Sequence, residues 1–264
     1  MIEGMNKIYL TLSLVSFVNL LCGQTNPVAS ATPAPAVATA MSEGVSLPLS
    51  GWALIGAKDQ TLGPKEESGK VSFGGEGFGT KGKSMAAFFP KTELGVGQTL
   101  RFKAVVRFTG VAGTGHFRYG IFQKHSKDHS RKWLGYCAYV GLDKAFPKGN
   151  LLARLPGNDG DFSGMKGSKG EEVARILGES AIGVKSIKDG GYLILMELKR
   201  DATGVEVKAT MDSSADLPVQ MVSYLSKDDQ PATTTFDAIG FVTHEALSTD
   251  SIEFSDISVQ LQGP

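Results

Sequence analysis

The sequence predicts an all-β protein, an antiparallel two-sheet β-sandwich, on three observations. Apolar residues alternate with polar ones through most of the chain after residue 45, glycine is abundant at 33 of 264 residues, and neither an internal repeat nor a strand–helix alternation is present. A hydrophobic content of 41% is that of a globular domain. A single sandwich can run to about 250 residues, so one domain behind a leader accounts for the length. Net charge is zero, which gives the whole chain no electrostatic pull towards nucleic acid or a membrane surface. The charge is nevertheless uneven. Residues 101–135 hold eight basic side chains against Asp128 alone, and residues 209–264 hold nine acidic ones against Lys227 alone.

The N-terminus reads as an address. In "MNKIYLTLSLVSFVNLLCGQT", residues 5–25, Lys7 precedes an apolar run from Ile8 to Cys22. That is the pattern of a secretory signal peptide and too short for a stable membrane-spanning helix. The small residues Ala29–Ala31 suit a signal peptidase, giving a signal peptide over 1–31. "LLC", ending at Cys22, is the alternative: it resembles a bacterial lipoprotein box, with Leu21 where a small residue belongs, and implies a lipid anchor. "NPVASATPAPAVATA" has no charge and no aromatic residue, so it forms no core and predicts a flexible Pro/Ala/Thr linker over 32–44. The folded domain is expected at 45–264, secreted or held in the cell envelope, with no transmembrane segment once the signal is removed. Beyond the leader Cys137 is the lone cysteine, so no internal disulfide is available, and its setting in "GYCAYVG" predicts burial.

"SMAAFF" is the first strand marked by its apolar run. "TLRFKAVVRF" then puts Leu100, Phe102, Ala104, Val106 and Phe108 on one face and Arg101, Lys103, Val105 and Arg107 on the other. The Gly-rich "TGVAGTG" predicts a turn, and "HFRYGIFQ" follows with Phe117, Tyr119 and Ile121 opposed to His116 and Arg118. Pairing of these two strands as a hairpin, with Phe108 facing Phe117, would put Arg107 and Arg118 on one face as a basic strip. "LGYCAYVGL" is the next strand, and "EEVARILGES", residues 171–180, is the one stretch that could make a helical turn or two. "GYLILMELKRDATGVEVKATM" predicts a hairpin closed at Asp201–Gly204, with Glu197, Lys199, Glu206 and Lys208 pairing across its outer face. "PVQMVSYL", "FDAIGFVT" and "SIEFSDISVQL" complete the set. In the last, Ile252 and Phe254 are out of phase with Ile257, Val259 and Leu261, which predicts a bulge near Ser255 and Asp256.

The order of "RFKAVVRF", "FRYGIF", a variable polar loop, "GYCAYVG", the long hairpin, "FDAIGFVT" and the closing "SIEFSDISVQL" resembles concanavalin A-like lectin/glucanase domains, LamG-like jelly rolls of secreted bacterial proteins. The resemblance covers roughly Ser46 to Gln262. It implies a jelly-roll sandwich and a carbohydrate ligand on the concave face of the larger sheet. The enzymes of that family are matched less well. A retaining glucanase needs two carboxylates about 5 Å apart, carried by E-x-D-x-x-E on one strand, and no such pattern occurs. "FRYGIFQ" resembles an alginate-lyase strand motif, but Phe122 stands at the position of its catalytic tyrosine and has no hydroxyl to donate.

Three candidate sites follow. The first is a ligand surface of Arg107, His116, Arg118 and Tyr139 on a shared face, rimmed by Trp133 as a stacking platform, suited to an anionic polysaccharide. The second is the loop "QKHSKDHSRKW", where His125, Asp128 and His129 have the spacing of metal ligands on a helical turn, or where Lys124, Lys127, Arg131 and Lys132 extend the basic strip. The third is "GNDGDFSG", whose Asn158, Asp159 and Asp161 could offer oxygen ligands to Ca2+, although a turn rich in Gly and Asx residues accounts for the same letters. The expectation is a non-enzymatic carbohydrate-binding module needing no cofactor, Ca2+ apart. A lyase or hydrolase with other catalytic residues, and a surface adhesion module, are the alternatives.

Overall fold

The computed structural model describes residues 44–264 apart from 57–60, 76–77, 79–82, 114, 142–148, 158–159, 168, 184, 215–218 and 246. Strands are numbered along the chain. An eight-stranded sheet, sheet A, runs in the order β13 (Gln220–Asp228), β12 (Gly204–Ser213), β11 (Gly190–Asp201), β6 (Thr99–Thr109), β15 (Ser251–Gln262), β4 (Lys70–Gly74) and β3 (Lys65–Glu67), with β1 (Val45–Ser46) also on β15. A seven-stranded sheet, sheet B, runs β10 (Ala174–Glu179), β9 (Asn150–Arg154), β8 (Leu134–Gly141), β7 (Gly115–Gln123), β14 (Thr235–Glu245), β5 (Lys83–Glu93) and β2 (Trp52–Ile55). The pairings of these strands are antiparallel. The molecule is therefore the antiparallel two-sheet sandwich that the alternation predicts, with the jelly-roll architecture that the family resemblance implies.

The main core lies between the sheets. Phe102, Phe108 and Phe254 come from sheet A, and Phe117, Tyr119 and Phe241 from sheet B; all are fully or nearly fully buried. Tyrosine hydroxyls carry the polar link across it. Tyr119 of β7 donates to Thr210 O of β12 at 2.7 Å, and Tyr136 of β8 to Asp228 Oδ2 of β13 at 3.1 Å. Each bond lets a large ring be buried without leaving its hydroxyl unsatisfied.

The two long sides of the sandwich differ. On one, Ala181 N donates to Ser223 O at 2.8 Å and Ser226 Oγ to Leu177 O at 2.7 Å, tying the β10 edge to the β13 edge. On the other, the chain changes sheet between β1 and β2, between β2 and β3 and between β4 and β5, and the first of these crossings is a short strap. Leu47 N bonds Val259 O of sheet A, and three residues later Ser50 N bonds Phe88 O of sheet B.

The β11–β12 hairpin has the expected register, Asp201 opposite Gly204, Glu197 opposite Lys208 and Lys199 opposite Glu206. The bulge in β15 is also present: the pairing with β6 slips between Ser255 and Ser258, and Asp256 takes a positive φ of 49°. Two expectations are corrected. Residues 174–179 form the strand β10 rather than a helical turn, because the stretch supplies the edge of sheet B next to β9. More consequentially, β6 and β7 do not pair. Both edges of β6 are taken, by β11 and by β15, so the chain after Thr109 has no partner there and crosses to the other sheet. Asp189 fixes that corner by accepting from the backbone N–H of Gly110 and Val111 at 3.1 and 2.6 Å. Phe108 and Phe117 do meet, with ring centroids 5.1 Å apart, but edge to face across the core rather than side by side on one sheet.

Candidate functional site

The outer face of sheet B carries a second apolar cluster, separate from the core, because two loops lie on it. Directly opposed residues share a face in an antiparallel sheet, so the register defines a row Ala53, Ala86, Gly240, Gly120 and Cys137 running from β2 to β8. These small residues form a trough. The Phe162 ring of the loop joining β9 to β10 lies in it: a Cβ on Gly240 would come within 2.8 Å of that ring, and one on Gly120 within 2.0 Å of Tyr136 O. Phe162 then stacks on Trp133 at 5.3 Å and meets Phe122 at 4.8 Å.

Buried polar side chains clamp the same loop. Arg118 Nη1 donates to Ser163 O at 2.6 Å while its guanidinium lies 3.9 Å over the Tyr139 ring, and the Tyr139 hydroxyl donates to the same carbonyl at 2.7 Å. Arg154, which sequence reasoning missed, donates to Gly164 O and, at 3.0 Å, to Gly160 O. Burial lowers the Arg154 pKa to about 10, still well above neutral, so the clamp is cationic. Burial first, and then the neighbouring Arg118 and His244, hold the His116 pKa down at about 2, so this imidazole is neutral, stacked between Tyr139 at 5.2 Å and His244 at 5.0 Å.

The expected site residues are thus divided. His116, Arg118 and Tyr139 come together on the outer face of sheet B, but all three are buried, Arg118 being 5% exposed beneath Ser163. Arg107 is exposed on the outer face of the other sheet, opposite Glu253. The strip joining Arg107 to Arg118 therefore does not form, because the parity argument assumed a β6–β7 hairpin. Trp133 is not a rim but an anchor, fully buried with its Nε1 donating to Ser126 O at 3.0 Å. Cys137 is buried as expected, and burial pushes its thiol up to about 12.

The 124–133 loop is irregular rather than helical, so the spacing of His125, Asp128 and His129 gathers nothing; the two imidazole centroids are 6.5 Å apart. Among the described residues no group of three His, Cys, Asp or Glu side chains could hold a metal ion. Asn158 and Asp159 lie outside the described residues. Asp161 is exposed and accepts from Ser130 Oγ at 3.0 Å.

At the β2 end of the trough, where Ala53 succeeds Ala86, the described residues line a cleft of about 440 Å³. The strap residues Ser50, Gly51 and Gly56 form one side and Lys127 and Asp128 of the 124–133 loop the other, with Phe88 between them. Lys127 Nζ stands 5.2 Å and Lys124 Nζ 5.6 Å from the Phe88 ring centroid, but the Lys124 ammonium is neutralised by an ion pair with Asp237, whose carboxylate also accepts from the Lys124 backbone N–H at 2.8 Å. The cleft is within the range of small-ligand sites. It offers the Lys127 ammonium and the Asp128 carboxylate, while along the strap Ser50 N and Gly51 O are already bonded to Phe88. Its signal in the sequence was the glycine pair flanking "WALI", which carries no chemistry by itself.

No protein-family model matches the chain, and no curated protein matches its sequence. Among solved structures it is similar to the carbohydrate recognition domain of Emp46p in its metal-free form, at 15% identity over 85% of this chain and 99% of that one, with a TM-score of 0.49. It is similar also to the exoplasmic/lumenal domain of VIP36 in a Ca2+/Man-bound form, at 9% identity over 81% and 83% of the two chains and a TM-score of 0.47. A third is the legume lectin-like domain from Entamoeba histolytica, at 10% identity over 81% and 90%, with a TM-score of 0.46. No residue role, ligand or ion passes from these proteins to this one.

Proposed function

We propose that the protein is an exported, non-enzymatic carbohydrate-binding module whose ligand occupies the cleft between the 124–133 loop and the strap at 50–56. The observation that carries this reading is the cleft itself: an opening of about 440 Å³ lined by Phe88, the strap, Lys127 and Asp128. An ammonium and a carboxylate at one opening are a donor and an acceptor suited to the many hydroxyls of a sugar. The strand-order resemblance in the sequence supports the same ligand class.

A preference for anionic polysaccharide belongs to the proposal through the loop alone. Lys127, Arg131 and Lys132 are exposed there against Asp128, whereas Arg118 is sealed and Arg107 lies on the other sheet. Export is supported by Lys7 followed by the apolar run Ile8–Cys22, with the domain starting near residue 45 after the linker. Intact-mass measurement of protein recovered from a bacterial envelope tests it. A mature chain lacking Cys22 is expected; a diacylated N-terminal Cys22 would make the protein an anchored lipoprotein.

A glycan array run beside a turnover assay on acidic polysaccharides tests the function. Binding without release of new chain ends is expected. Sustained appearance of reducing or unsaturated ends would replace the module with a hydrolase or lyase, and an array without any bound glycan would leave the adhesion reading in its place.

A further inference from the structure

The open side of the sandwich holds a second cleft, of about 430 Å³, that the outer-face reading does not use. It lies where the strap leaves sheet A and the β3–β4 hairpin forms that sheet's edge, and its walls include Leu49, Trp52, Val71 and Ile257 with the charged Glu66, Glu67 and Lys70. Trp52 is the central feature. Its indole packs on the core rings of Phe254, Phe241 and Phe73, at 5.2, 5.9 and 6.0 Å, yet the residue stays only half-buried where the two sheets part. Such a ring is held rigid from behind and offers its remaining surface to a ligand at little cost in side-chain entropy.

The register places the acid. Glu66 is opposite Val71, whose side chain is buried in the core, so Glu66 stands on the inner side of the sheet edge, the side of the indole. Glu67 is opposite Lys70 on the other side, and Lys70 is already paired with Glu253 at 3.0 Å. The cleft thus combines an aromatic wall, aliphatic flanks from Leu49 and Ile257, and a carboxylate with two acceptor oxygens.

We infer that this edge cleft is a second ligand site and that it takes a neutral hexopyranose ring. The apolar C–H face of such a ring matches the indole and the aliphatic flanks, and its neighbouring hydroxyls donate to the Glu66 carboxylate. The Glu66 carboxylate repels an anionic sugar, and Lys70 is engaged by Glu253, so the selectivity is opposite to that proposed for the Lys127 cleft. The inference does not depend on that cleft.

Trp52 and Trp133 are the two tryptophans, and Trp133 is fully buried beneath its loop, so a ligand-induced change in intrinsic fluorescence reports on Trp52, which the Glu66 and Lys127 variants assign to one cleft or the other. The test titrates the full protein with the methyl glycosides of glucose, galactose, mannose and N-acetylglucosamine up to the millimolar range, with glucuronic acid as the anionic counterpart. At least one neutral glycoside should give a saturable fluorescence change, and glucuronic acid should bind about tenfold or more weakly. Ligand-observed NMR should show binding lost in Trp52→Ala and weakened severalfold in Glu66→Ala. Glu66→Gln, an exposed and fold-neutral change, should narrow the gap between neutral and anionic sugars. Lys127→Ala should leave all of this unchanged, which separates the two sites. Absence of a saturable response to every neutral glycoside, or an equal response in Glu66→Ala, would overturn the inference, as would tighter binding of glucuronic acid.

Discussion

Arg118 and Trp133 have the residue types of a sugar-binding surface, and both serve to hold a loop. Alternation along "HFRYGIFQ" assigned Arg118 correctly to the face opposite Phe117 and Tyr119. It could not tell that the face would be covered, because the cover comes from residues 160–164, some forty positions away. Arg118→Ala removes a charge-assisted bond to Ser163 O and leaves that carbonyl with the Tyr139 hydroxyl as a donor. The expected cost is about 1–3 kcal/mol in chemical denaturation, with glycan binding unaffected. His116 sets a pH dependence. Its pKa is about 2 in the fold against about 6.5 in the unfolded chain, so the unfolded state takes up the proton first as pH falls. Its stability contribution is complete above about pH 6.5 and is lost progressively below it, by about 2 kcal/mol at pH 5. Arg118, His244 and Tyr139 are the polar groups stacked around it, and denaturation midpoints measured from pH 7.5 to 5 should fall less in His116→Gln than in the parent.

At the scale of elements, the loop from β9 to β10 and the trough beneath it act as one unit. Gly120 and Gly240 are directly opposed, and side chains there would occupy the space that Phe122 and Phe162 fill. Phe162→Ala should cost about 3–5 kcal/mol, and hydrogen exchange should rise across 155–173 and 124–133 together, because Trp133 loses its stacking partner. The oxygen-rich turn is organised from within: the Gly160 and Gly164 carbonyls receive the Arg154 guanidinium, a fixed positive charge. Ca2+ or a chelator should therefore leave the thermal midpoint unchanged, and a rise on adding Ca2+ would point to Asn158, Asp159 and Asp161 as ligands. Strand existence, hairpin register and the β15 bulge were legible because each depends on near neighbours in sequence. The partner of β6 was not. Parity along "RFKAVVRF" and "HFRYGIFQ" is satisfied equally by a hairpin and by two strands facing each other across a core, and the Phe108–Phe117 contact exists in both arrangements.

For the whole domain, function follows from how the two sheets are joined. One long side is tied by hydrogen bonds between the β10 and β13 edges, while on the other the chain changes sheet between β1 and β2, between β2 and β3 and between β4 and β5. Both clefts border the strap between β1 and β2, one on the outer face of sheet B and one at the parted edge, with Trp52 lining each. Sequence reasoning found the 124–133 loop, half of the outer cleft, from its charge. It missed the strap because "LSGWALIG" has neither charge nor a repeated pattern and acquires meaning only from what it crosses. The central claim is that Lys127, rather than the buried Arg118 or the distant Arg107, meets an anionic glycan. Calorimetric titration of the purified protein with polygalacturonate and alginate oligosaccharides at low and high salt tests it most directly. The account predicts saturable binding that weakens as salt rises, falls about tenfold in Lys127→Ala and is unchanged in Arg107→Ala. Absence of binding, or binding untouched by Lys127→Ala, would contradict it.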